Sequence, residues 1–176
     1  MERISEEDLD EAVLKLSSAD QVFVCGVRSS YAFANWFAFA LDLVIGKTRL
    51  YHSNIDNILL RMSELSKNSV MVVFSFHRYI IETINIARLA KQQGLFIIAF
   101  IDSSPSQITE FSDIVLSIQL NIKSTLDATP IVFSLMNSIV SKITIQNYEL
   151  FKNEWKNLIL WKHKAYFRTT KSKIHL

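Results

Sequence analysis

Short apolar runs alternate along the chain with longer segments that carry apolar residues on one side. Five runs stand at residues 21–25, 49–51, 70–74, 96–101 and 113–118. Runs that are apolar almost throughout are typical of strands buried on both faces of a sheet. Because helix-length segments separate them, the pattern predicts an α/β domain with a parallel sheet and right-handed crossovers.

The segments between the runs carry signals for helices. Ser5 precedes three acidic residues, which is the pattern of an N-cap followed by acids at the positive end of the helix dipole. Gly94 stands where a glycine commonly follows the end of a helix. Further helices are predicted at residues 31–45, 55–65, 80–93, 125–141 and 148–162.

The predicted helix that begins at Tyr31 is apolar nearly all round, so it needs cover on more than one side. The sheet covers one side, and we expect a partner subunit to cover another, with Trp36 or Phe33 in the contact. The alternative is a helix buried wholly within one subunit. Aromatic residues near the C-terminus form a second candidate interface or a part of the subunit's own core: Phe151, Trp155, Trp161, Tyr166 and Phe167.

The composition suits one globular domain. The chain has 176 residues, of which 49% are apolar, and only three glycines and two prolines. A net charge of +2 does not indicate a polycation built for nucleic acid. We interpret the basic residues near the C-terminus as a solvated tail, because short basic ends commonly bind nothing specific.

The same composition predicts a cytoplasmic protein without a metal or cofactor. Cys25 is the single cysteine, so it forms no internal disulfide and offers no metal-ligand spacing. The first residues carry no signal-peptide pattern. The longest apolar stretch, 31–45, is interrupted by Asn35 and Asp42 and is shorter than the ~20 residues of a membrane span.

Two polar loops follow apolar strands and lead into helices, at residues 26–30 and 75–79. If the strand order is 2-1-3-4-5, these loops meet where the order reverses, which is where doubly wound sheets bind ligands. Helix N-termini there favour an anion. Ser29, Ser30 and Ser75 add hydroxyl donors. Arg28 and Arg78 each add a charge suited to phosphate.

Each of these residues also has a simpler interpretation. Ser29 or Ser30 would cap a helix without any ligand. Arg78 is spaced to pair with Glu82 on one helix face. His77 is a proton carrier or a hydrogen-bonding loop residue, and Glu82 is a base or half of that ion pair. The sequence holds no P-loop and no G-x-S-x-G nucleophile turn, so no catalytic group stands out.

From about residue 8 to 140 the sequence resembles a sugar isomerase (SIS) domain, above all that of RpiR-type bacterial transcription regulators. The segment 26–30, G-V-R-S-S, is similar to the family's G-x-G-x-S loop, with Arg28 at the second glycine. The segment 74–82, F-S-F-H-R-Y-I-I-E, is similar to its second loop. Segments at 18–26, 90–94, 98–102, 104–106 and 112–113 continue in register.

This resemblance implies a flavodoxin-like three-layer sandwich, with a five-stranded parallel sheet in the order 2-1-3-4-5 and helices on both faces. It also implies a homodimer or homotetramer that holds a phosphosugar on the two serine loops. By position, Ser30 and Ser75 inherit ligand binding, and Ser124 is similar to a family serine near the sugar. His77, Arg78 and Ile80 replace a serine, a glycine and a threonine of the family's phosphate-binding loop.

The predicted organisation is an N-terminal helix at 1–17, a SIS domain at 18–142 and a C-terminal helix with a basic tail at 143–176. No helix-turn-helix domain is predicted before the first strand. The function expected is sensing of a sugar phosphate by a regulator, without direct nucleic-acid binding by this domain. The alternatives are an aldose–ketose phosphate isomerase and an oligomerising domain with a degenerate pocket.

Overall fold

The sheet has five parallel strands in the order β2-β1-β3-β4-β5, which confirms the predicted fold. The structure is a computed structural model that describes residues 4–76, 80–102, 107–118, 125–148 and 152. The strands are β1 Val22–Cys25, β2 Thr48–Leu50, β3 Val70–Ser75, β4 Phe96–Ile101 and β5 Ile114–Ser117. Each side of β1 has a parallel neighbour, so the strand order reverses between β1 and β3.

Five α-helices connect or follow the strands in this part of the chain. They are α1 Glu6–Ser18, α2 Tyr31–Ile45, α3 Ile58–Ser63, α4 Ile81–Gln92 and α5 Thr125–Gln146, with short 3-10 helices at Arg28–Ser30 and Gln107–Phe111. The hydroxyl of Ser5 accepts a hydrogen bond from the Asp8 N–H at 2.9 Å, as its capping pattern predicts. Gly46 ends α2 in the left-handed conformation, with φ of +62°.

Alternate residues of each strand enter two separate cores. Val24, Phe74 and Phe100 face the core that α1, α2 and α5 cover. Phe23 and Val73 face the core that α3 and α4 cover. Both faces of the sheet are therefore buried, which explains why the strands are apolar throughout.

Two of the element boundaries that differ from the sequence prediction lie near the carboxyl edge of the sheet. Helix α3 begins at Ile58 and not at residue 55, because the side chain of Asn57 caps it by accepting from the N–H groups of Leu59 and Leu60. Ser75, which we assigned to the second loop, is the last residue of β3. The backbone of Ser75 is therefore held by its pairing with Ile101 of β4.

Helix α2 is buried on one side and exposed on the other. Phe33 is only 3% exposed inside the subunit's own core, so its predicted place in a subunit contact is wrong. Trp36, Phe39 and Leu43, on the other side of the helix, are 38%, 56% and 44% exposed. These three residues recur at helical spacing, and we call them the α2 stripe.

Helix α5 has one buried side and contains a segment, 128–146, that is long and apolar enough to cross a membrane, with a mean hydropathy of 1.3. A helix in the core of a globular domain passes the same test. The following residues of α5 belong to the first core: Ala128, Val132, Met136, Ile139 and Ile143. The spacing of these residues is the amphipathic pattern of a core helix. The aromatic C-terminal candidates and the basic tail lie outside the described residues.

Candidate functional site

A cleft of about 640 Å³ opens at the carboxyl edge of the sheet, beside the point where the strand order reverses. Its walls come from the segment after β1, the first residue of α2, the loop after β2 and the first turn of α4. The lining residues are Val27, Arg28, Tyr31, His52, Ser53, Asn54, Ile55 and Glu82. Segments that are distant in sequence meet here because parallel strands all end at this edge.

Gly26 allows β1 to turn directly against α2. A Cβ at this position would lie 2.7 Å from the carbonyl oxygen of Ser30 and 2.9 Å from Cβ of Ala34. Such contacts are too close for any side chain without a shift of the backbone. The glycine therefore keeps the first loop tight against the N-terminus of α2.

Arg28 adopts a backbone conformation that usually requires a glycine. Its φ of +53° is in the left-handed region, which residues with a Cβ rarely adopt. This is the position of the second glycine in the G-x-G-x-S pattern, so the loop keeps a glycine-like conformation although the residue is Arg28. The residue is exposed and its side chain lines the cleft.

The two serines of the first loop differ in exposure. Ser29 is exposed within the 3-10 helix, whereas Ser30 is 6% exposed at the start of α2. The side chain of Ser30 makes no capping hydrogen bond to α2. The simple capping interpretation therefore does not account for Ser30.

Ser75 places a buried hydroxyl at the end of β3. The residue is 3% exposed, and its Oγ has no hydrogen-bond partner among the residues that the structure describes. Ser75 is in register with Ile101, which is in register with Ser117. The Oγ of Ser117 is also buried and has no partner in the described part of the chain. Since a buried hydroxyl is costly when unpaired, these hydroxyls need an explanation.

Three residues of the sequence-predicted site cannot be placed. His77, Arg78 and Ser124 lie outside the described residues. The same holds for the ion pair that spacing predicts between Arg78 and Glu82. The described lining of the cleft therefore comes from the first loop, the first residue of α2, the loop after β2 and the first turn of α4, and it does not include Ser29, Ser30 or Ser75.

Glu82 reaches the cleft from the first turn of α4. Its Oε1 accepts a hydrogen bond from the hydroxyl of Tyr51 at 3.1 Å. Burial and this hydrogen bond raise the pKa of Tyr51 to about 12, so the phenol stays a donor at neutral pH. Burial, with a smaller effect of the Glu82 charge, also raises the pKa of Cys25 well above its usual value. The Cys25 thiol is therefore protonated in the core.

Sequence analysis overlooked the pair formed by Tyr31 and His52. A hydrogen bond of 3.0 Å joins the Tyr31 hydroxyl and Nδ1 of His52, and both residues line the cleft. The partner is 21 residues away in sequence, so no local spacing reveals it. The available signal was that His52 lies two residues after β2, whose carboxyl end lies beside that of β1.

Asp56 holds the loop after β2 in place. One carboxylate oxygen accepts the backbone N–H of His52 at 2.8 Å, and the other accepts Nε of Arg61 at 2.8 Å. Burial acts to raise the pKa of Asp56, but the bonds from His52 and Arg61 outweigh it and the pKa is lowered. The carboxylate thus stays charged and fixes the backbone of His52 beside the cleft.

The chemistry of this cleft suits a polar ligand with an anionic group. It offers a guanidinium, an imidazole, hydroxyls and an amide as partners, together with the carboxylate of Glu82. Among the residues that the structure describes, no three His, Cys, Asp or Glu side chains come together as a metal site requires. The described residues therefore favour recognition by hydrogen bonds and charge.

Solved structures with the same fold include both regulators and isomerases. The RpiR transcription factor of Sphaerobacter thermophilus (sugar isomerase domain) matches with a TM-score of 0.80 at 21% identity, over 89% of this chain and 87% of that one. The NanR protein of Vibrio vulnificus, complexed with ManNAc-6P, matches with a TM-score of 0.76 at 15% identity, over 92% of this chain and 62% of that one. The phosphoheptose isomerase GmhA of Neisseria gonorrhoeae matches with a TM-score of 0.65 at 15% identity, over 78% of this chain and 85% of that one.

These identities establish a shared fold and no more. No curated protein sequence matches the chain. The family model of the SIS domain, in contrast, matches residues 15–142. Because this match covers most of the 176 residues, the protein belongs to the SIS domain family.

Proposed function

We propose that this SIS domain binds a phosphorylated sugar in the cleft and acts as the sensing domain of a transcription regulator. The observation that carries the proposal is the cleft itself, which lies at the strand reversal and combines Arg28 with the polar groups of His52 and Glu82. The NanR structure, which contains ManNAc-6P, supports a phosphosugar as the ligand class.

In this proposal the two ends of the ligand meet different groups. The phosphate lies against the guanidinium of Arg28 and accepts hydrogen bonds from the hydroxyls of Ser29, Ser30 and Ser75. It also faces the N-termini of α2 and α4, the helices that follow the two loops. The sugar hydroxyls bond to His52, Asn54 and Glu82. His77, Arg78 and Ser124 are further proposed contacts.

The regulatory role follows the organisation expected from the sequence: a helix at 1–17, the SIS domain at 18–142 and a C-terminal segment at 143–176. The domain itself would not contact DNA. It would act in the cytoplasm as a homodimer or homotetramer, and ligand binding would bias that assembly. Such an effect requires that the ligand bind one state of the assembly more tightly than the other.

Calorimetry tests the binding directly. We expect ManNAc-6P, glucose 6-phosphate or fructose 6-phosphate to bind, and the matching unphosphorylated sugars to bind far more weakly. A bound ligand at 100 times its Kd adds about 2.7 kcal/mol to the free energy of unfolding, so thermal shift gives an independent readout. If no phosphosugar of the panel binds, the degenerate-pocket alternative holds and the proposal is wrong.

Aldose–ketose isomerisation is the second candidate function, and the environment of Glu82 favours it. The Glu82 carboxylate lines the cleft, and the Tyr51 hydroxyl orients it from 3.1 Å. A general base must come within about 3 Å of the proton that it moves. Turnover of a hexose phosphate that disappears in Glu82→Gln but survives in Glu110→Gln, a change outside the cleft, would establish an enzyme. Tight binding without turnover would favour the sensor.

A further inference from the structure

Arg28 is the only non-glycine residue with a positive φ in the part of the chain that the structure describes. A Cβ in the left-handed region crowds the following carbonyl, so an arginine lowers folding stability where a glycine would not. Strained residues of this kind persist mainly where their side chain serves a function. The chain therefore carries a structural cost at a position that lines the cleft.

Arg28 also differs from the other arginines in this part of the chain. Arg49 pairs with Glu64 at 2.9 Å, and Arg61 pairs with Asp56 at 2.8 Å. Arg88 bonds to Asn85 at 3.1 Å. Of the four arginines that the structure describes, Arg28 is the one whose guanidinium has no carboxylate or amide partner. An unpaired guanidinium beside a cleft is available to bind an anion.

The formal charges of the described lining make this guanidinium decisive. Arg28 contributes the positive charge of this lining, and Glu82 contributes the negative charge. Loss of the Arg28 charge would leave the carboxylate as the main charge of this lining. An anionic ligand would then meet repulsion where it now meets attraction.

We infer that Arg28 determines the charge specificity of the cleft, selecting phosphorylated over neutral sugars, and that this selectivity is gained at the expense of folding stability. The inference rests on the proposed function, because it assumes that a phosphosugar binds here. It goes beyond that proposal in assigning the selectivity to one residue and in coupling it to a strained backbone.

Three substitutions separate charge from strain. Arg28→Ala removes the charge and keeps a Cβ in the left-handed region. Arg28→Gly removes both the charge and the strain. Arg28→Lys keeps the charge and the strain but loses the planar fork that binds two oxygens. Each variant is compared with the wild-type protein by calorimetry and, without ligand, by thermal unfolding.

The probes are ManNAc-6P, glucose 6-phosphate and fructose 6-phosphate, each beside its unphosphorylated sugar. We expect Arg28→Ala and Arg28→Gly to weaken phosphosugar binding by about 10- to 100-fold, with a much smaller change for the neutral sugar. Arg28→Lys should lose less affinity than Arg28→Ala. Arg28→Gly should raise the Tm by about 2–4 °C, and Arg28→Ala should not.

The outcomes distinguish this inference from the proposed function. Wild-type protein that binds no phosphosugar of the panel overturns both. Wild-type protein that binds phosphosugars, with Arg28→Ala binding them equally well, overturns the inference and leaves the proposed function standing. A Tm that does not rise in Arg28→Gly overturns the coupling to strain.

Discussion

Two serines at opposite ends of β3 have the same burial and different surroundings. Ser69, just before the strand, is 1% exposed, and its hydroxyl lies 3.3 Å from that of Ser66. Ser75, at the end of the strand, is 3% exposed, and no described residue bonds to its hydroxyl. The paired hydroxyl contributes to stability, whereas the unpaired one lowers stability unless a ligand completes it.

Ser75→Ala should therefore separate stability from binding. We expect its free energy of unfolding to stay within about 1 kcal/mol of wild type, while affinity for a phosphosugar falls about 5- to 10-fold through the loss of one hydrogen bond. Ser69→Ala is the matched control, with a loss of about 1 kcal/mol in stability and no change in affinity. Urea unfolding and calorimetry measure both. The reverse pattern would show that Ser75 serves only the fold.

Gly26→Ala tests the close approach of the first loop to α2. The added Cβ would meet Ser30 and Ala34 at less than 3 Å, so we expect a loss of about 1–3 kcal/mol from overpacking. Gly46→Ala is the comparison, since nothing lies within 4 Å of its Cβ and only its φ of +62° opposes the change. Gly26→Ala should also weaken ligand binding, and Gly46→Ala should not. Equal binding by both variants would contradict this role for the first loop.

At the scale of elements, the loop after β2 joins the site to the start of α3. Asp56 bonds to the His52 backbone and to Arg61, and the next residue, Asn57, caps α3. One short segment therefore positions a cleft residue and begins a helix. We therefore expect substitutions that weaken the start of α3 to alter the position of His52, and the reverse.

Asp56→Asn should give a pH-dependent loss of stability. The pKa of Asp56 is lower in the folded state than in the unfolded state, where it is about 3.9. The ionised carboxylate therefore adds to the free energy of unfolding above about pH 3.9. This contribution is lost as the pH falls through the pKa of the folded state. We expect the variant to be less stable than wild type at pH 7 and the difference to shrink in acid. Urea unfolding between pH 7 and 3 measures it.

Asn57→Ala is the control for that experiment, because it weakens the same helix start without removing a titrating group. Loss of this cap should cost about 1 kcal/mol at every pH at which the protein is folded. A deficit of Asp56→Asn that is as large in acid as at neutral pH would contradict the linkage to the Asp56 carboxylate.

At the scale of the whole molecule, the α2 stripe is one apolar surface that stays exposed in the single subunit. The ring of Trp36 packs against those of Phe39 and Phe133, with centroid distances of 5.9 and 6.0 Å. Phe133 in turn packs against the first core, so the exposed stripe is in contact with the core. Exposed apolar surface of this kind marks protein contacts when it is contiguous. The α2 stripe therefore supports the proposed homodimer.

Phe39→Asp should disrupt that assembly. Phe39 is 56% exposed, so a charge there would be tolerated by the fold and would oppose burial against a partner. Light scattering coupled to size exclusion should show a dimer or tetramer for wild type and a monomer for the variant. Leu14→Asp, at a residue 62% exposed on α1, should leave the assembly intact. A monomeric wild-type protein would refute the proposed contact.

The fold could be predicted from the sequence because its signals are local. Apolar runs such as 96–101 identify buried strands, and Ser5 and Gly94 identify helix ends through their own backbone chemistry. The strand order predicted a site where the loops after β1 and β3 meet. The cleft opens at that edge of the sheet, but its described lining comes from the segments after β1 and β2 and from the first turn of α4.

Only the tertiary structure decided which side chains meet in the cleft and which side of α2 is exposed. Tyr31 with His52, and Tyr51 with Glu82, are pairs 21 and 31 residues apart, and no periodicity encodes such a distance. Phe33 and Trp36 are both large and apolar, so the sequence could not tell the core side from the exposed one. The physical reason is that hydrophobic pattern determines each element, whereas burial depends on how the elements pack together.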